Sequence, residues 1–515
     1  MPSQAAPDIN VRSTSGRSIA CPSGIFINNA FVTAIEGKKL DTVNPATGQH
    51  LATVECGTSK DVDVAVNAAK QAFATTWGRK STPAQRVSCL LKLADLIEEE
   101  ADELGELESL DNGKPKWIAK TMDVADVAGC FRYYGGLADK IEGKTIELNE
   151  SIKMAMTKVQ PIGVCAAVCP FNYPLGMLSW KLAPALAAGN CVILKPAEQT
   201  PITALRIAQL AVKAGFPPGV LGVINGYGPD VGAALATHTG IDKIAFTGST
   251  ATGMKIAEMA ARSNLKKTTL ELGGKSPVLV FDDADLEKSL PWVVLGIMFN
   301  QGQDCTAGSR LFVQSGIYDT FVKRVVEAVQ QHAIGDPLDD NTFQGPQVSQ
   351  AQQTKILDLI ESGKSEGAKL ECGGQIWPGA KGTKLEKGFW VAPTVFSGCS
   401  KGMRIFDEEI FGPVLSVAKF ETEEEAIALA NDTDYGLGAG IFSQDISRCM
   451  RVTGAIDAGT VWVNNYVVLS NSVPFGGFKR SGMGRELGVD AIKEYTQVKS
   501  VHINWGEEME WPLRG

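Results

Sequence analysis

The chain has 515 residues, of which 44% are hydrophobic and 21% charged, and its formal net charge is −9 at pH 7. A chain of this length exceeds what one hydrophobic core usually holds, and its composition is that of a globular protein with more than one domain. The negative charge comes without any block of basic residues able to follow a phosphate backbone, which argues against nucleic acid as a partner.

The distribution of apolar residues along the chain indicates where in the cell the protein is expected. No run of 18 or more apolar residues occurs, and the first 30 positions lack the apolar region of a secretory signal. The sequence therefore predicts a protein that neither spans a membrane nor enters the secretory route, and we expect it in the cytoplasm. Arg12 and Arg17 among several serines faintly resemble a transit peptide, so a mitochondrial location is the alternative.

Cysteine and histidine usage bears on redox state and metals. Eleven cysteines, an odd number without paired spacing, argue against a disulfide framework and favour reduced thiols. Four scattered histidines leave little from which to assemble a metal site or a Ser-His-Asp triad. We therefore expect no metal.

In chain order, two helical stretches are expected between Asp61 and Asp111, the second beginning at Ser81-Thr82-Pro83, a cap followed by proline at an early helical position. Beyond Pro161, short apolar runs alternate with helical patterns. This alternation predicts a parallel sheet that binds ligands at the carboxyl ends of its strands. The predicted strands are Ile162–Cys169, Cys191–Leu194, Val220–Ile224, Lys243–Phe246 and Thr268–Leu272.

A second series of apolar runs predicts a second α/β domain, with helices over Asp285–Phe299 and Ile317–His332. The seam between the domains is expected near Gly273-Gly274-Lys275-Ser276. The second set of predicted strands comprises Pro277–Phe281, Arg310–Val313, Val414–Phe420, Leu437–Phe442 and Thr460–Val463. The predicted fold class is α/β, a Rossmann-like domain followed by a second α/β domain.

Two further segments, Lys153–Val159 and Val498–Ile503, alternate in polarity like exposed strands. They are expected either to pair with a partner subunit or to form edge strands within the chain. The pattern does not distinguish these alternatives.

Two segments are candidates for phosphate and ribose binding. The stretch from Phe246 to Gly253 ends a strand and opens a helix, where free backbone N–H groups suit an anion. It lacks the first glycine of the usual dinucleotide fingerprint, so a tight structural turn is the alternative. Lys195-Pro196-Ala197-Glu198 places a cation and an acid at the carboxyl edge of the sheet, although a surface ion pair has the same pattern. An acid facing the ribose repels a 2′-phosphate, which favours NAD over NADP.

Two segments are candidates for catalysis. Glu271 interrupts an apolar strand at the predicted seam, and a buried carboxyl tends towards a raised pKa, which suits a general base. A structural acid is the alternative. Cys305 lies in a loop of small and polar residues, unlike the other cysteines, and loop cysteines are more often reactive than core ones.

Together these segments resemble the aldehyde dehydrogenase superfamily, from about Phe26 to Val501. The likeness is greatest to the NAD-dependent, non-acylating enzymes of the cytosolic and mitochondrial class, with some fungal character. The motifs that carry it, in family order, are Cys169–Pro174, Lys195–Glu198, Phe246–Gly253, Glu271–Lys275, Gly302–Cys305, Glu408–Pro413 and Pro474–Gly477.

The resemblance implies oxidation of an aldehyde to a carboxylic acid with NAD. Cys305 would attack the aldehyde carbon as thiolate, and the Asn172 amide with the Cys305 backbone N–H would hold the oxyanion. Hydride would leave for the nicotinamide, and Glu271 would deprotonate the water that cleaves the thioester.

The resemblance also implies which residues line the two halves of the site. Lys195 and Glu198 are expected at the adenosine ribose, Ser249 at the pyrophosphate, and Glu409 with Phe411 at the nicotinamide ribose and ring. The remaining expected cofactor residues are Phe171, Gly248, Gly253 and Leu272. The expected substrate pocket, a largely apolar tunnel with aromatic walls, is formed by Asp126, Tyr173, Trp180, Phe299, Leu469 and Phe475.

Several positions depart from the family pattern. Phe171 stands where a tryptophan is usual, which removes an indole donor, and Leu469 replaces a more common aromatic residue. Asp304 precedes the nucleophile, and a carboxylate there disfavours the thiolate unless it points away or another group compensates. Asp126, together with Asp123, resembles the acids of amino- and betaine-aldehyde enzymes, which suggests that cationic aldehydes are tolerated. A helix-surface acid is the alternative.

From the resemblance we expect residues 1–141 and 160–273 to form the NAD-binding domain and 274–484 the catalytic domain. Residues 142–159 and 485–515 would form a small β oligomerisation arm and C-terminal segment of a homotetramer or homodimer. Two rivals are an acylating dehydrogenase that uses coenzyme A and an inactive structural or NAD-binding relative. Glu271 argues against the first, and the intact set of Cys305, Asn172 and Glu271 argues against the second.

Overall fold

The computed structural model of the chain describes residues 4–13, 16–149 and 152–509. Parts of two expected segments therefore lie outside the described residues. They are residues 1–3, 14 and 15 of the leader-like start, and residues 150, 151 and 510–515 of the predicted arm and C-terminal segment.

Strands are distributed along the described chain. In chain order they are β1 (Asp8–Arg12), β2 (Ser18–Pro22), β3 (Ile25–Ile27), β4 (Ala30–Val32), β5 (Lys39–Asn44), β6 (Gln49–Glu55), β7 (Thr145–Asn149), β8 (Lys153–Pro161), β9 (Val164–Val168), β10 (Cys191–Lys195), β11 (Leu221–Val223), β12 (Lys243–Thr247), β13 (Lys267–Glu271), β14 (Pro277–Val280), β15 (Arg310–Gln314), β16 (Lys369–Cys372), β17 (Thr394–Ser397), β18 (Val414–Phe420), β19 (Tyr435–Gly436), β20 (Gly438–Phe442), β21 (Thr460–Val463), β22 (Phe478–Lys479), β23 (Gly482–Met483) and β24 (Thr496–Asn504).

Helices connect most of the longer strands. They are α1 (Ser59–Thr75), α2 (Pro83–Glu99), α3 (Ala101–Asn112), α4 (Lys116–Ile118), α5 (Val124–Leu137), α6 (Pro174–Ala187), α7 (Ile202–Lys213), α8 (Ala233–Thr237), α9 (Thr250–Ser263), α10 (Leu286–Met298), α11 (Tyr318–Gln330), α12 (Gln350–Ser365), α13 (Arg404–Asp407), α14 (Glu423–Asn431), α15 (Ile446–Ala455) and α16 (Asp490–Glu494).

The first large sheet has the order β23-β13-β12-β9-β10-β11-β3-β4. Its five central strands run parallel and correspond to the five predicted runs between Ile162 and Leu272. All five residues of β9 are buried, as expected for a parallel strand covered on both faces. The mixed α/β fold with parallel sheets is confirmed.

The second sheet has the order β16-β17-β18-β15-β14-β20-β21 and contains all five strands predicted after Gly274. Successive side chains of β14 point to opposite faces. Val278 and Val280 pack in one apolar core, while Leu279 packs with Phe281 in another on the opposite face. Each face of this sheet therefore has its own core.

The segment that connects the two sheets is short, because β13 ends at Glu271 and β14 begins at Pro277. The sequence Leu272–Ser276 thus passes from one sheet to the other, close to the predicted seam. The chain later returns, since β23 pairs antiparallel with β13 at Glu271 and Leu270. Two-residue β23 has no apolar run that would have predicted it.

The helical region before the first sheet contains one more break than expected. Three helices, α1 to α3, occupy the stretch in which two were predicted. Thr82 does cap α2, since its side chain accepts a hydrogen bond from the Gln85 backbone N–H at 3.2 Å. Helix α2 ends at Glu99, and α3 begins directly after Glu100, whose backbone leaves the helical region without a glycine or proline.

The two segments of alternating polarity pair with each other. Strands β8 and β24 run antiparallel over nine residue pairs, from Pro161 opposite Thr496 to Lys153 opposite Asn504. Strand β7 completes a three-stranded sheet on the other side of β8. The pairing is thus within one chain, with β24 at an edge.

Among the described residues, no helix combines the length and apolarity needed to cross a membrane. Over the same residues, no group of three or more potential ligating side chains is arranged to hold a metal ion.

Candidate active site

The site lies at the carboxyl ends of the parallel strands in the first sheet. Strand order reverses at β9, because β10 and β11 follow on one side of it and β12 and β13 on the other. Ligands of open α/β sheets bind at such a reversal. The segments that leave β9 and β12 at this edge carry Phe171 with Asn172 and Gly248 with Ser249.

A cavity of about 530 Å³ opens at this edge and extends between the two sheets. It brings together Cys305, Glu271 and Asn172. It also collects all six predicted substrate-pocket residues and six of the predicted cofactor residues, namely Phe171, Gly248, Ser249, Leu272, Glu409 and Phe411. Lys195, Glu198 and Gly253 do not line this cavity.

The loop that carries Cys305 has an unusual backbone. Asn300, Gln301 and Gly302 have φ values of 48°, 60° and 67°, three successive residues in the left-handed region. A Cβ on Gly302 would lie 2.2 Å from the carbonyl carbon of Gly412, so only glycine fits there. The turn is therefore held tightly against the second sheet just before the nucleophile.

Cys305 is one of two cysteines that are partly exposed, and the other nine are buried. Its enclosed position raises the pKa of its thiol well above the ordinary value, and the carboxylates of Asp304, Glu409 and Glu271 raise it further. The charges of the chain around this sulfur thus favour the protonated thiol. Activation needs a base or a positive charge close to the sulfur.

Asn172 is fixed through its backbone. Its carbonyl oxygen accepts a hydrogen bond from the Asn300 side-chain amide at 2.9 Å, and the Asn112 amide is 3.4 Å from the same oxygen. Asn112 also donates to the carbonyl of Phe171 at 2.6 Å. Asn112 is fully buried at the end of α3, so one amide holds both residues that follow β9 at this edge.

This contact predicts the effect of removing the Asn112 amide. We expect Asn112→Ala to lower the free energy of unfolding by about 1–3 kcal/mol, because the Phe171 carbonyl loses its Asn112 donor and the Asn172 carbonyl keeps only the Asn300 amide. The measurement is a thermal unfolding midpoint by calorimetry. Asn67→Ala, at an exposed position of α1, is the matched control. Equal midpoints for the two variants would contradict the assignment.

Glu271 is the last residue of β13 and is 5% exposed. Burial raises the pKa of its carboxyl well above the usual value, and the neighbouring Glu486 carboxylate adds to this, while Lys181 opposes it. Its Oε2 atom has no hydrogen-bond partner among the described residues. A buried carboxyl with a free oxygen facing a cavity can take a proton from a bound water.

Two charged residues beside Glu271 were not predicted. Lys181, buried within α6, donates to the Thr247 hydroxyl at 2.6 Å and forms an ion pair with Glu486. Burial lowers the pKa of Lys181, but Glu486, Cys169 and Glu271 together raise it, and the net pKa is raised. Lys181 could have been noticed in the sequence, because it is the one charged residue in a mainly apolar helix. Gln352 and Lys355 of α12 also line the cavity and were not predicted.

The turn from β12 to α9 has the form of an anion site. Ser249 caps α9, accepting from the Thr252 backbone N–H at 3.3 Å. A Cβ on Gly248 would lie 2.6 Å from the Phe246 ring, and one on Gly253 would lie 2.4 Å from the Leu272 side chain. A side chain at either position would have to displace these neighbours, and glycine leaves the amide groups of the turn accessible to a ligand.

Lys195 and Glu198 lie at the end of β10. The Lys195 ammonium is 3.4 Å from the Glu198 carboxylate and donates to the Pro196 carbonyl at 2.9 Å. Burial lowers the pKa of Lys195, and Glu198 partly offsets this. Glu198 keeps 34% of its side chain exposed, so its carboxylate remains free to accept from a ligand hydroxyl.

Glu409 and Phe411 reach the cavity from the second sheet. The Glu409 carboxylate accepts from the Gly274 backbone N–H at 2.9 Å, across the passage between the sheets. Phe411 has a φ of 60°, and its ring packs edge-on against Phe171 with ring centres 5.7 Å apart. Phe171, in place of the usual tryptophan, thus supplies an aromatic contact without an indole donor.

The predicted substrate pocket is aromatic. Trp180 and Phe475 pack edge to face at 5.3 Å, and Leu469 is 44% exposed. The Asp126 carboxylate accepts from the Asn471 amide at 3.1 Å, and burial raises its pKa. Asp123 is engaged in a buried ion pair with Lys114, so of these two acids Asp126 is the more available to a ligand.

Comparison with known proteins shows the family to which the chain belongs. A model of the aldehyde dehydrogenase family matches residues 31–501. The chain is 50% identical to an aldehyde dehydrogenase of Emericella nidulans, over 95% of this chain and 96% of that protein. It is also 50% identical to human aldehyde dehydrogenase 1A1, over 93% of this chain and 94% of that protein.

Solved structures give the same result. The structure of an aldehyde dehydrogenase from Bacillus cereus in complex with NAD+ superimposes with a TM-score of 0.91 at 46% identity, covering 93% of this chain and 96% of that one. With its parallel sheets, its cavity and this match over most of its length, the chain belongs to the aldehyde dehydrogenase family.

Proposed function

We propose that the protein oxidises an aldehyde to a carboxylic acid with NAD, through a covalent bond between the substrate and Cys305. The observation that carries this proposal is the meeting of Cys305, Asn172 and Glu271 in one cavity. These groups are a nucleophile, an oxyanion donor and a buried base, and they come from three separate segments of the chain.

The roles of the residues follow from their chemistry. The Cys305 sulfur attacks the aldehyde carbon, and the Asn172 amide stabilises the oxyanion that forms. NAD, when bound, would supply the hydride acceptor for oxidation of this adduct to a thioester. Glu271 then removes a proton from the water that attacks the thioester carbonyl, which releases the acid and frees Cys305.

Residues on this edge of the first sheet fit a dinucleotide. Glycine at position 248 leaves the backbone amides of the turn after β12 open to a pyrophosphate, and the Lys195 and Glu198 pair at the end of β10 suits a ribose. Glu409, Phe411 and Phe171 flank the cavity near Cys305, which suits a nicotinamide riboside.

The same arrangement predicts cofactor preference. The Glu198 carboxylate accepts from ribose hydroxyls and repels a 2′-phosphate, so NAD is favoured. We expect Glu198→Gln to raise the ratio of kcat/KM with NADP to that with NAD by about tenfold, since one repulsive charge is removed. Steady-state rates with both cofactors measure this. Glu258→Gln, an exposed change on α9, is the control and should leave the ratio as in the wild type.

The direct test of function is aldehyde-dependent formation of NADH, without added coenzyme A. Release of the free acid under these conditions supports hydrolysis and excludes the acylating alternative. A protein that binds NAD yet oxidises none of a panel of aliphatic, aromatic, indolic and amino aldehydes would fit the inactive relative instead.

The side chains of the pocket indicate which kinds of aldehyde the protein binds. The aromatic walls favour apolar aldehydes, while Asp126 is a candidate contact for a cationic group. The panel compares betaine aldehyde with an uncharged aliphatic aldehyde. Equal rates, unchanged in Asp126→Asn, would contradict a role for Asp126 in binding cations.

Assembly, domains and compartment are also proposed. Exposed Ile146, Leu148 and Val498 on the outer strands of the three-stranded sheet support a homodimer or homotetramer, which light scattering tests.

The two large sheets support an NAD-binding unit of residues 1–141 and 160–273 and a catalytic unit of residues 274–484. Eleven free cysteines support the cytoplasm, or another reducing compartment such as the mitochondrial matrix, which cell fractionation tests.

A further inference from the structure

Asp304, immediately before the nucleophile, has both carboxylate oxygens engaged. Oδ1 accepts from the backbone N–H of Thr306 at 2.7 Å and from the Thr306 hydroxyl at 2.7 Å. Oδ2 accepts from the Tyr173 hydroxyl at 2.8 Å. Thr306 directly follows Cys305, and Tyr173 directly follows Asn172. One side chain thus joins the loop of the nucleophile to the loop of the oxyanion donor.

The Tyr173 end of this bridge is itself anchored. The Lys114 ammonium lies over the Tyr173 ring, 4.2 Å from its centre, and is held by a buried ion pair with Asp123. Lys114 is 1% exposed. Tyr173 therefore presents its hydroxyl from a fixed position at the start of α6.

The Asp304 carboxylate also disfavours ionisation of the Cys305 thiol. After burial, Asp304 is the largest cause of the raised pKa of the Cys305 thiol. If charge were its only effect, Asp304 would oppose formation of the nucleophile. Its three hydrogen bonds supply a separate, geometric effect.

We propose that Asp304 is a positioning residue that fixes Cys305 relative to Asn172 by bridging Thr306 and Tyr173. This inference rests on the proposed function, in which the attacking sulfur and the oxyanion donor act on the same carbonyl group. The two groups leave different sheets, since β9 precedes Asn172 and β15 follows Cys305. A link between their loops sets the distance on which the rate depends, and a displacement of about 1 Å can cost on the order of a hundredfold.

The test separates geometry from charge with three variants. Asp304→Ala removes the bridge and the charge, Asp304→Asn removes the charge but keeps an oxygen for Thr306 and an amide for Tyr173, and Tyr173→Phe removes one hydrogen bond. We expect kcat to fall about tenfold in Asp304→Ala and in Tyr173→Phe, and to stay within about threefold of the wild type in Asp304→Asn. The double variant Asp304→Ala/Tyr173→Phe should be no slower than the slower single variant.

A second readout needs no turnover. Alkylation of Cys305 by iodoacetamide, followed by peptide mass spectrometry without cofactor, reports the thiolate. Both Asp304 variants should react roughly threefold or more faster than the wild type at pH 8, since the neighbouring charge is gone. Tyr173→Phe keeps that charge and should not react faster. Asp304→Ala would then pair a more reactive thiol with a lower kcat, which neither a charge effect alone nor a loss of stability produces.

Controls match the chemistry of each change. Tyr318 has its ring 4.7 Å from the Lys419 ammonium, and its hydroxyl accepts from the Gly398 N–H at 3.3 Å, so Tyr318→Phe repeats the Tyr173 change away from the cavity. Asp339 accepts from Asn341 in an exposed turn, so Asp339→Asn repeats the Asp304 change. Both controls should keep wild-type rates.

Four results would overturn the proposal: wild-type kcat in Asp304→Ala, equal losses in Asp304→Asn and Asp304→Ala, additive losses in the double variant, or unchanged alkylation in Asp304→Asn. Absence of aldehyde oxidation in the wild type would instead refute the proposed function. In that case faster alkylation of Asp304→Asn would still locate the carboxylate beside the thiol.

Discussion

Cys305→Ser is expected to abolish aldehyde oxidation, with kcat falling by at least about a thousandfold. A serine hydroxyl is far less acidic than a thiol, so a cavity that already raises the pKa of the Cys305 thiol leaves serine protonated and without a competent nucleophile. The measurement is NADH formation under saturating aldehyde and NAD.

Cys372→Ser is the matched control for this change. Cys372 is the other partly exposed cysteine and lies on β16, at the far edge of the second sheet. It should keep the wild-type rate. NADH formation that persisted undiminished in Cys305→Ser would refute a covalent mechanism at this position.

Most of the parallel strands could be predicted because they contain short runs of buried, mainly apolar residues with no alternation. Strand β9 is buried along its whole length, so its sequence alone marks it as covered on both faces. The break between α2 and α3 could not be predicted, since Glu99-Glu100-Ala101 contains neither glycine nor proline and all three residues are compatible with a helix.

Some features of the site could likewise be predicted from the sequence, and others could not. Cys305 and Glu271 could be singled out because each contrasts with its own neighbours, a thiol in a polar loop and an acid in an apolar strand. The contacts that tune them could not, because their partners are far apart in the chain. Lys181 and Glu486 are separated by 305 positions, and Tyr173 and Asp304 by 131. No local pattern links such residues, and only the folded sheets bring them together.

Glu271→Gln is expected to separate the two halves of the reaction. In the proposed mechanism Glu271 acts as the base for water in hydrolysis of the thioester, a step that follows attack by the Cys305 thiolate and hydride transfer. We therefore expect one equivalent of NADH per active site, followed by turnover slowed by about 10²–10⁴-fold, with an acyl group left on Cys305. Stopped-flow absorbance and intact-protein mass spectrometry measure the two parts. Glu258→Gln, exposed on α9, is the control and should show neither effect.

The pH dependence of hydrolysis gives the same assignment an independent check. Only the ionised Glu271 carboxylate accepts a proton, and its fraction rises as pH rises through its pKa. Burial and Glu486 raise that pKa well above the usual value. The hydrolysis rate should therefore rise over a pH range higher than the one in which an exposed glutamate ionises. In Glu271→Gln this increase should disappear. A slow rate in Glu271→Gln with an unchanged pH profile would show that another group, and not Glu271, is the base.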